Sequence, residues 1–327
     1  MIGVALVGLG DIALRAHLPA LLRNPDVEVA ALVDPDPARR ALAAAHAQAP
    51  VAKDIRDVLG DPSVRGVVLA TPPWVTTELI GQVAATGRFV LAEKPVATSL
   101  EAARTLLDLP EEQRRWVQVG LAYRHDPALE LLGDWLRSGL LGGPLLVRAH
   151  IYDEGRDPAD PAHARRIEET LRHGLPLVHE GAHVFDWFRV LFGPPERVED
   201  AWTLATRSGL PAPNLCGARL HYPQGTVVLA EFGWLTGALP RCEISVLGDR
   251  GHVLLDGRTF EMELSTARGV ERFGFEPDRT TRCFDRQLAR FAELITGERD
   301  EACPSLEDGV ATLVLAERIT KLLEGER

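Results

Sequence analysis

An apolar run from Ile2 to Val7 leads without polar alternation into Gly8-Leu9-Gly10-Asp11-Ile12-Ala13, and a helical pattern through Leu14, Leu18, Leu21 and Leu22 follows at once. Few local patterns restrict a fold as much as strand, glycine turn and helix in that order. Gly8 permits the tight turn, Gly10 lets a bound group approach the backbone, and the helix start offers free N–H groups and the positive end of its dipole. That geometry suits a pyrophosphate. The G-x-G-x-x-A spacing therefore predicts a dinucleotide site, with Leu9, Asp11 and Ile12 completing the turn.

The unit repeats along the first third of the chain. Val27 to Val33 reads as a second strand, ends in Asp34 and the breakers Pro35-Asp36-Pro37, and gives way to a helix over residues 38–47. Val51-Ala52, Gly66 to Ala70, Phe89 to Ala92 and Trp116 to Val119 read as further strands. Helices are expected over residues 75–86 and, behind a capping box formed by Thr98 and Glu101, through Leu109. Strands that stay apolar throughout and alternate with helices imply a parallel sheet covered on both faces, an α/β doubly wound fold. Asp34, at the end of the second strand, is placed to accept from ribose hydroxyls and to repel a 2′-phosphate, which favours NAD. Arg39 and Arg40 stand close enough to keep NADP as the second cofactor.

After the fifth strand comes Glu93-Lys94-Pro95. With it the chain resembles the Gfo/Idh/MocA oxidoreductases, which include glucose-fructose oxidoreductase and inositol dehydrogenase. The matching pieces occur in order: Gly8-Leu9-Gly10 with His17 and Pro19, Thr71-Pro72-Pro73, Glu93-Lys94-Pro95, Gly120 to Pro127 containing Arg124, His183 with Asp186, and Pro304-Ser305-Leu306-Glu307-Asp308-Gly309. The resemblance implies that Ala70, Thr71, Pro72, Glu93 and Lys94 line the cofactor and that the Lys94–Pro95 bond is cis. It also implies that Lys94 holds the reacting hydroxyl, where an ammonium stabilises the developing alkoxide. His183 matches the catalytic histidine, whose neutral imidazole takes the hydroxyl proton and returns it in reverse, and Asp186 falls one turn later on the same helical face. Arg124 is implied as a substrate contact, and Asp186 and His179 are expected to bind substrate as well. His179 is a departure, because many relatives carry Asp at that position.

His179-Glu180-Gly181-Ala182-His183 also satisfies H-E-x-x-H, a spacing that can present two zinc ligands and a general base on one helix face. Gly181 inside the motif, the missing extended motif and the lack of a compelling third ligand argue against zinc, so no metal is expected.

From residue 121 the pattern changes. A helix near residues 128–137 precedes separated strands at Leu145 to Tyr152, Val198 to Leu204, Ala218 to Tyr222, Thr226 to Phe232, Arg241 to Leu247 and Gly251 to Asp256, several joined by turns. Helices are expected near residues 179–191 and 284–295 and from Glu307. An α+β domain with an open, mostly antiparallel sheet follows. The expected division is a dinucleotide-binding domain over 1–120 and a substrate-binding and oligomerisation domain over 121–327. Tyr152 and Asp153, at the end of the strand that should face the nicotinamide side, are added as substrate contacts, and residues 153–174 read as a loop or partly helical lid. Members of the family often associate through the other face of this sheet, which implies a homodimer or homotetramer.

Composition bounds the partners. The 327 residues are about twice a typical domain length, and 46% hydrophobic with 25% charged residues excludes a disordered chain. Asp plus Glu outnumber Lys plus Arg by 47 to 36, for a net charge of -11 with no basic run, so nucleic acid is not an expected partner. No membrane span or signal segment is read, and Cys216, Cys242, Cys283 and Cys303 lie too far apart for a zinc ribbon. A soluble cytoplasmic protein is expected. The positive charge is nearly all Arg, with Lys53, Lys94 and Lys321 the exceptions, so a compact ammonium kept at residue 94 is notable. The expected activity is hydride transfer between NAD(P) and a hydroxyl-bearing carbon of a sugar or cyclitol. A redox-assisted hydrolase or epimerase with retained NAD, a zinc hydrolase and a non-catalytic dinucleotide-binding protein are the alternatives.

Overall fold

The computed structural model describes residues 1–325. The chain forms two units, the first made of residues 1–125 and 280–311, the second of residues 126–279 with the C-terminal segment from residue 312. The boundary thus falls five residues beyond the one expected at 120, and a later segment returns to the first unit. The cause is the amphipathic helix Arg279–Thr296, whose Phe284, Leu288, Phe291 and Ile295 are buried in one cluster with Val4, Leu6 and Val68 of the first sheet. Apolar periodicity alone does not say against which sheet an amphipathic helix packs.

In the first unit six parallel strands, β1 (Ile2–Val7), β2 (Val27–Val33), β3 (Val51–Ala52), β4 (Val64–Leu69), β5 (Phe89–Glu93) and β6 (Val117–Gly120), stand in the order β3-β2-β1-β4-β5-β6. This is the doubly wound arrangement, with the order reversing beside β1, where such sheets bind ligands beyond their carboxyl ends. The helix Leu100–Leu107 is capped by Ser99, whose hydroxyl accepts from the Ala102 N–H, so the cap stands one residue after the expected Thr98. The helical segment after the glycine turn contains a π-helical turn over Ala13–His17 before continuing as α-helix over Leu18–Arg23.

The second unit is built on eight strands: β7 (Leu146–Glu154), β8 (Arg197–Leu204), β9 (Leu215–His221), β10 (Val227–Trp234), β11 (Glu243–Leu247), β12 (Gly251–Asp256), β13 (Met262–Thr266) and β14 (Gly269–Phe273). Their order is β14-β13-β12-β11-β7-β10-β9-β8, an open sheet in which only β7 and β10 pair in parallel. Val147, Ala149 and Ile151 of β7 and Ala230 and Phe232 of β10 are buried on one face. The helix Gly181–Phe192 packs there, with Phe185 edge-on to Phe232 at 5.6 Å. The intervening β7 residues, Arg148 and His150, point to the other, more exposed face. No helix among the described residues is long and apolar enough to cross a membrane.

Candidate active site

The carboxyl ends of β2, β1, β4 and β5 are neighbours in the first sheet, and they carry Asp34, Gly8 to Gly10, Ala70 to Pro72, and Glu93 with Lys94. Gly8 has φ +83°, and a Cβ there would stand 2.6 Å from the Ala70 carbonyl oxygen, so both conformation and space demand glycine. A Cβ on Gly10 would meet nothing within 4 Å, which leaves the backbone open to a ligand before the helix begins. The helical ladder starts immediately, with Leu14 N–H donating to Gly10 C=O at 3.1 Å.

Asp34 is only 2% exposed and is fixed by the backbone. Oδ2 accepts from the Leu9 N–H at 2.8 Å and Oδ1 from the Asp36 N–H at 2.8 Å. Arg39 stands 3.7 Å from Asp34 Oδ2 and 3.8 Å from Asp36, while Arg40 donates to the carbonyls of Asp34 and Pro35. Asp11 is exposed, 3.8 Å from Arg15, and Ile12 is likewise exposed. Ala70 N–H donates to Val7 C=O at 2.8 Å, and the Thr71 hydroxyl lies 2.8 Å from that of Thr76, fixing the turn through Pro72. An open glycine turn, a helix start and a carboxylate held at the neighbouring strand end fit a dinucleotide's pyrophosphate and ribose.

At the end of β5 the Lys94–Pro95 bond is cis. Glu93, expected at the cofactor, is engaged through both carboxylate oxygens. Its Oε1 lies 2.8 Å from Nε2 of the buried His17, and its Oε2 accepts from the Lys94 N–H at 3.1 Å. Arg124, expected at substrate, donates to Asp308 Oδ2 at 2.6 Å. Asp308 also closes a capping box, accepting from the Ser305 N–H while its own N–H donates to the Ser305 hydroxyl. The late Pro304-to-Gly309 motif thereby fixes the guanidinium that follows β6, and Gly309 lets the helix approach Val119 and Val96 closely.

The remaining expected residues lie in the second unit. His179 closes the short helix Pro176–His179, and His183 stands in the first turn of Gly181–Phe192, so the two histidines do not share one continuous helix. Each imidazole lies against a different indole, His179 at 5.6 Å from Trp234 and His183 at 6.3 Å from Trp187. Among the described residues, no three His, Cys, Asp or Glu side chains are grouped to hold a metal ion. His179, His183 and Asp186 are all buried.

Tyr152 and Asp153 part company. Asp153 Oδ1 accepts the Trp234 indole N–H at 3.1 Å, on the face of the sheet where His179 lies. Tyr152 turns to the opposite face, its ring covering Gly233 and its hydroxyl donating to Glu231 at 3.3 Å. Burial and Glu231 together push its pKa up to about 12. The charged segment beyond β7 is largely helical, Pro161–Leu171, and its Ile167 and Leu171 pack with Trp234 and Leu235. Trp234, His17 and Asp308 received no role from the sequence. For Trp234 the available signal was its phase in β10, since it follows the buried Phe232 by two residues.

Comparison with known proteins agrees with both units. A family model described as the oxidoreductase family NAD-binding Rossmann fold matches residues 2–121, and one described as the GFO/IDH/MocA C-terminal domain matches residues 129–254. The rhizopine catabolism protein MocA of Rhizobium meliloti is 28% identical over 98% of this chain and 94% of its own. The inositol 2-dehydrogenase/D-chiro-inositol 3-dehydrogenase of Lacticaseibacillus casei is 24% identical over 97% of this chain and 90% of its own. Among solved structures, an oxidoreductase from Agrobacterium radiobacter in complex with NAD+, L-tartaric acid and magnesium superposes with a TM-score of 0.83 at 18% identity, covering 100% of this chain and 97% of its own.

Proposed function

Because the chain belongs to the Gfo/Idh/MocA family of oxidoreductases, we propose that it is an NAD-dependent dehydrogenase acting on a secondary hydroxyl of a cyclitol or sugar. The observation that carries the reading is that Asp34, Gly8, Ala70 and Lys94 fall on four neighbouring strand ends, an arrangement that supports an ammonium acting beside a bound dinucleotide. Bound NAD supplies the hydride acceptor. Lys94 donates to the substrate oxygen and stabilises the alkoxide that forms on it as the hydroxyl proton is removed and that collapses to the carbonyl as the hydride leaves. His183 takes the hydroxyl proton and passes it to solvent, so the alcohol leaves as a ketone. His179 and Asp153, held by the same indole, hydrogen-bond neighbouring hydroxyls, and a ring bearing several hydroxyls suits two such contacts.

Relatives named for inositol oxidation support the substrate class. The same reading has the protein acting in the cytoplasm, in keeping with four free cysteines, and assembling as a homodimer or homotetramer through the exposed face of the second sheet. The test is to mix the purified protein with NAD and a panel of inositols and sugars and follow nicotinamide absorbance. Steady NADH formation on a panel member is expected. Bound cofactor that cycles without net NADH would assign a redox-assisted hydrolase or epimerase instead, and cofactor binding with no conversion of any panel member would leave a binding protein.

A further inference from the structure

We propose that His17 is a positioning residue for Lys94, acting through Glu93; its catalytic meaning rests on the dehydrogenase reading above. His17 is the last residue of the π-helical turn Ala13–His17, in the helical segment that the glycine turn opens. A π turn holds one more residue than an α turn, and such turns recur at functional sites. It leaves the imidazole 4% exposed, with Nε2 2.8 Å from Glu93 Oε1 and the ring edge-on to Phe284 at 4.9 Å.

The other oxygen of the same carboxylate accepts the N–H of Lys94. Glu93 is thus a bridge from the glycine-turn helix to the peptide from which the lysine springs. Space for the bridge is provided by Gly120 on β6, where a Cβ would stand 3.0 Å from the Glu93 Cα and 3.1 Å from its carboxyl group. A carboxylate buried this deeply holds one rotamer only while both oxygens are satisfied. With the imidazole removed, Glu93 turns toward another donor and the Lys94 peptide is no longer held by it. The helix that receives the cofactor's pyrophosphate and the strand end that carries the ammonium are coupled through this contact.

The scarcity of lysine supplies a readout independent of turnover. Reductive 13C-methylation of the full-length protein labels Lys53, Lys94, Lys321 and the N-terminus, and each dimethylamine is observable by NMR. In His17→Leu the Lys94 resonance is expected to narrow and move toward the values of the exposed lysines while those of Lys53 and Lys321 stay in place. His17→Gln, which still reaches Glu93 with an amide donor, is expected to restore it. His17→Asn, too short to reach, should behave as His17→Leu does.

On a substrate found in the panel, the Leu and Asn variants are expected to lose at least tenfold in kcat with KM changed less than threefold, and Gln to recover to within threefold of the parent. An unchanged Lys94 resonance in folded His17→Leu or His17→Asn would overturn the proposal. So would a chain that folds with neither substitution, because His17 would then be a requirement of the core. A Lys94 response without turnover on the whole panel would leave the positioning intact and count against the dehydrogenase reading alone.

Discussion

Trp234 donates its indole N–H to Asp153 Oδ1 across 3.1 Å, and the imidazole of His179 lies 5.6 Å from the same ring. The indole also belongs to the small apolar cluster that seats Ile167 and Leu171 of the helix Pro161–Leu171. One side chain therefore orients two groups expected at substrate and anchors the segment beside them.

Replacing Trp234 with Phe keeps the apolar ring and removes the donor. A hydrogen bond to a charged acceptor contributes roughly 1.5–3 kcal/mol, so kcat/KM on a panel substrate should fall roughly tenfold or more. Trp234→Ala should in addition expose the helix Pro161–Leu171 to limited proteolysis. A Phe variant with parental kcat/KM would remove Asp153 from the site.

Cofactor choice should follow Asp34. Its carboxylate repels a 2′-phosphate, and together with Asp36 it neutralises Arg39. NADH is expected to bind more tightly than NADPH. Asp34→Ser removes the repulsion and frees the guanidinium, so the ratio of the two dissociation constants should move at least tenfold toward NADPH. Fluorescence titration of both reduced cofactors measures it, and an unchanged ratio would contradict the role given to Asp34.

His125 sets an acid limit on stability. Burial, followed by the charge of Arg290, lowers its pKa from 6.5 to about 3. The unfolded chain takes up a proton near pH 6.5 that the folded chain refuses until about pH 3, so folding loses stability as the pH falls through that window and is unaffected above it. At pH 5 the loss is on the order of 2 kcal/mol. In His125→Gln, urea titrations at pH 8 and pH 5 should show a correspondingly smaller loss than the parent. Equal losses would mean that the buried imidazole is protonated in the folded state.

In the first sheet β1 and β5 were the most legible, because they are continuous apolar runs, almost wholly buried, between helices, whereas β2 and β4 carry the exposed Glu28 and Arg65. β13 and β14 escaped notice, since Met262–Thr266 and Gly269–Phe273 mix polar and apolar residues at the edge of the second sheet. Strand period explains the parting of Tyr152 and Asp153, because consecutive residues of one strand face opposite sides of the sheet. Lys94 was visible as a rare residue type in a recognisable motif. The roles of Glu93 and Arg124 were not, because both depend on contacts distant in sequence, with His17 and with Asp308, that no local pattern encodes.

Work on substrate by Lys94 and His183 is measured by the steady-state rate of NADH formation in Lys94→Ala and His183→Ala on a panel substrate. General acid–base groups contribute roughly 100- to 10,000-fold. Each variant should lose at least about a hundredfold in kcat/KM, with the NADH dissociation constant of His183→Ala within threefold of the parent. A folded His183→Ala or Lys94→Ala enzyme that turns over within threefold of the parent rate would rule out the role proposed for that residue.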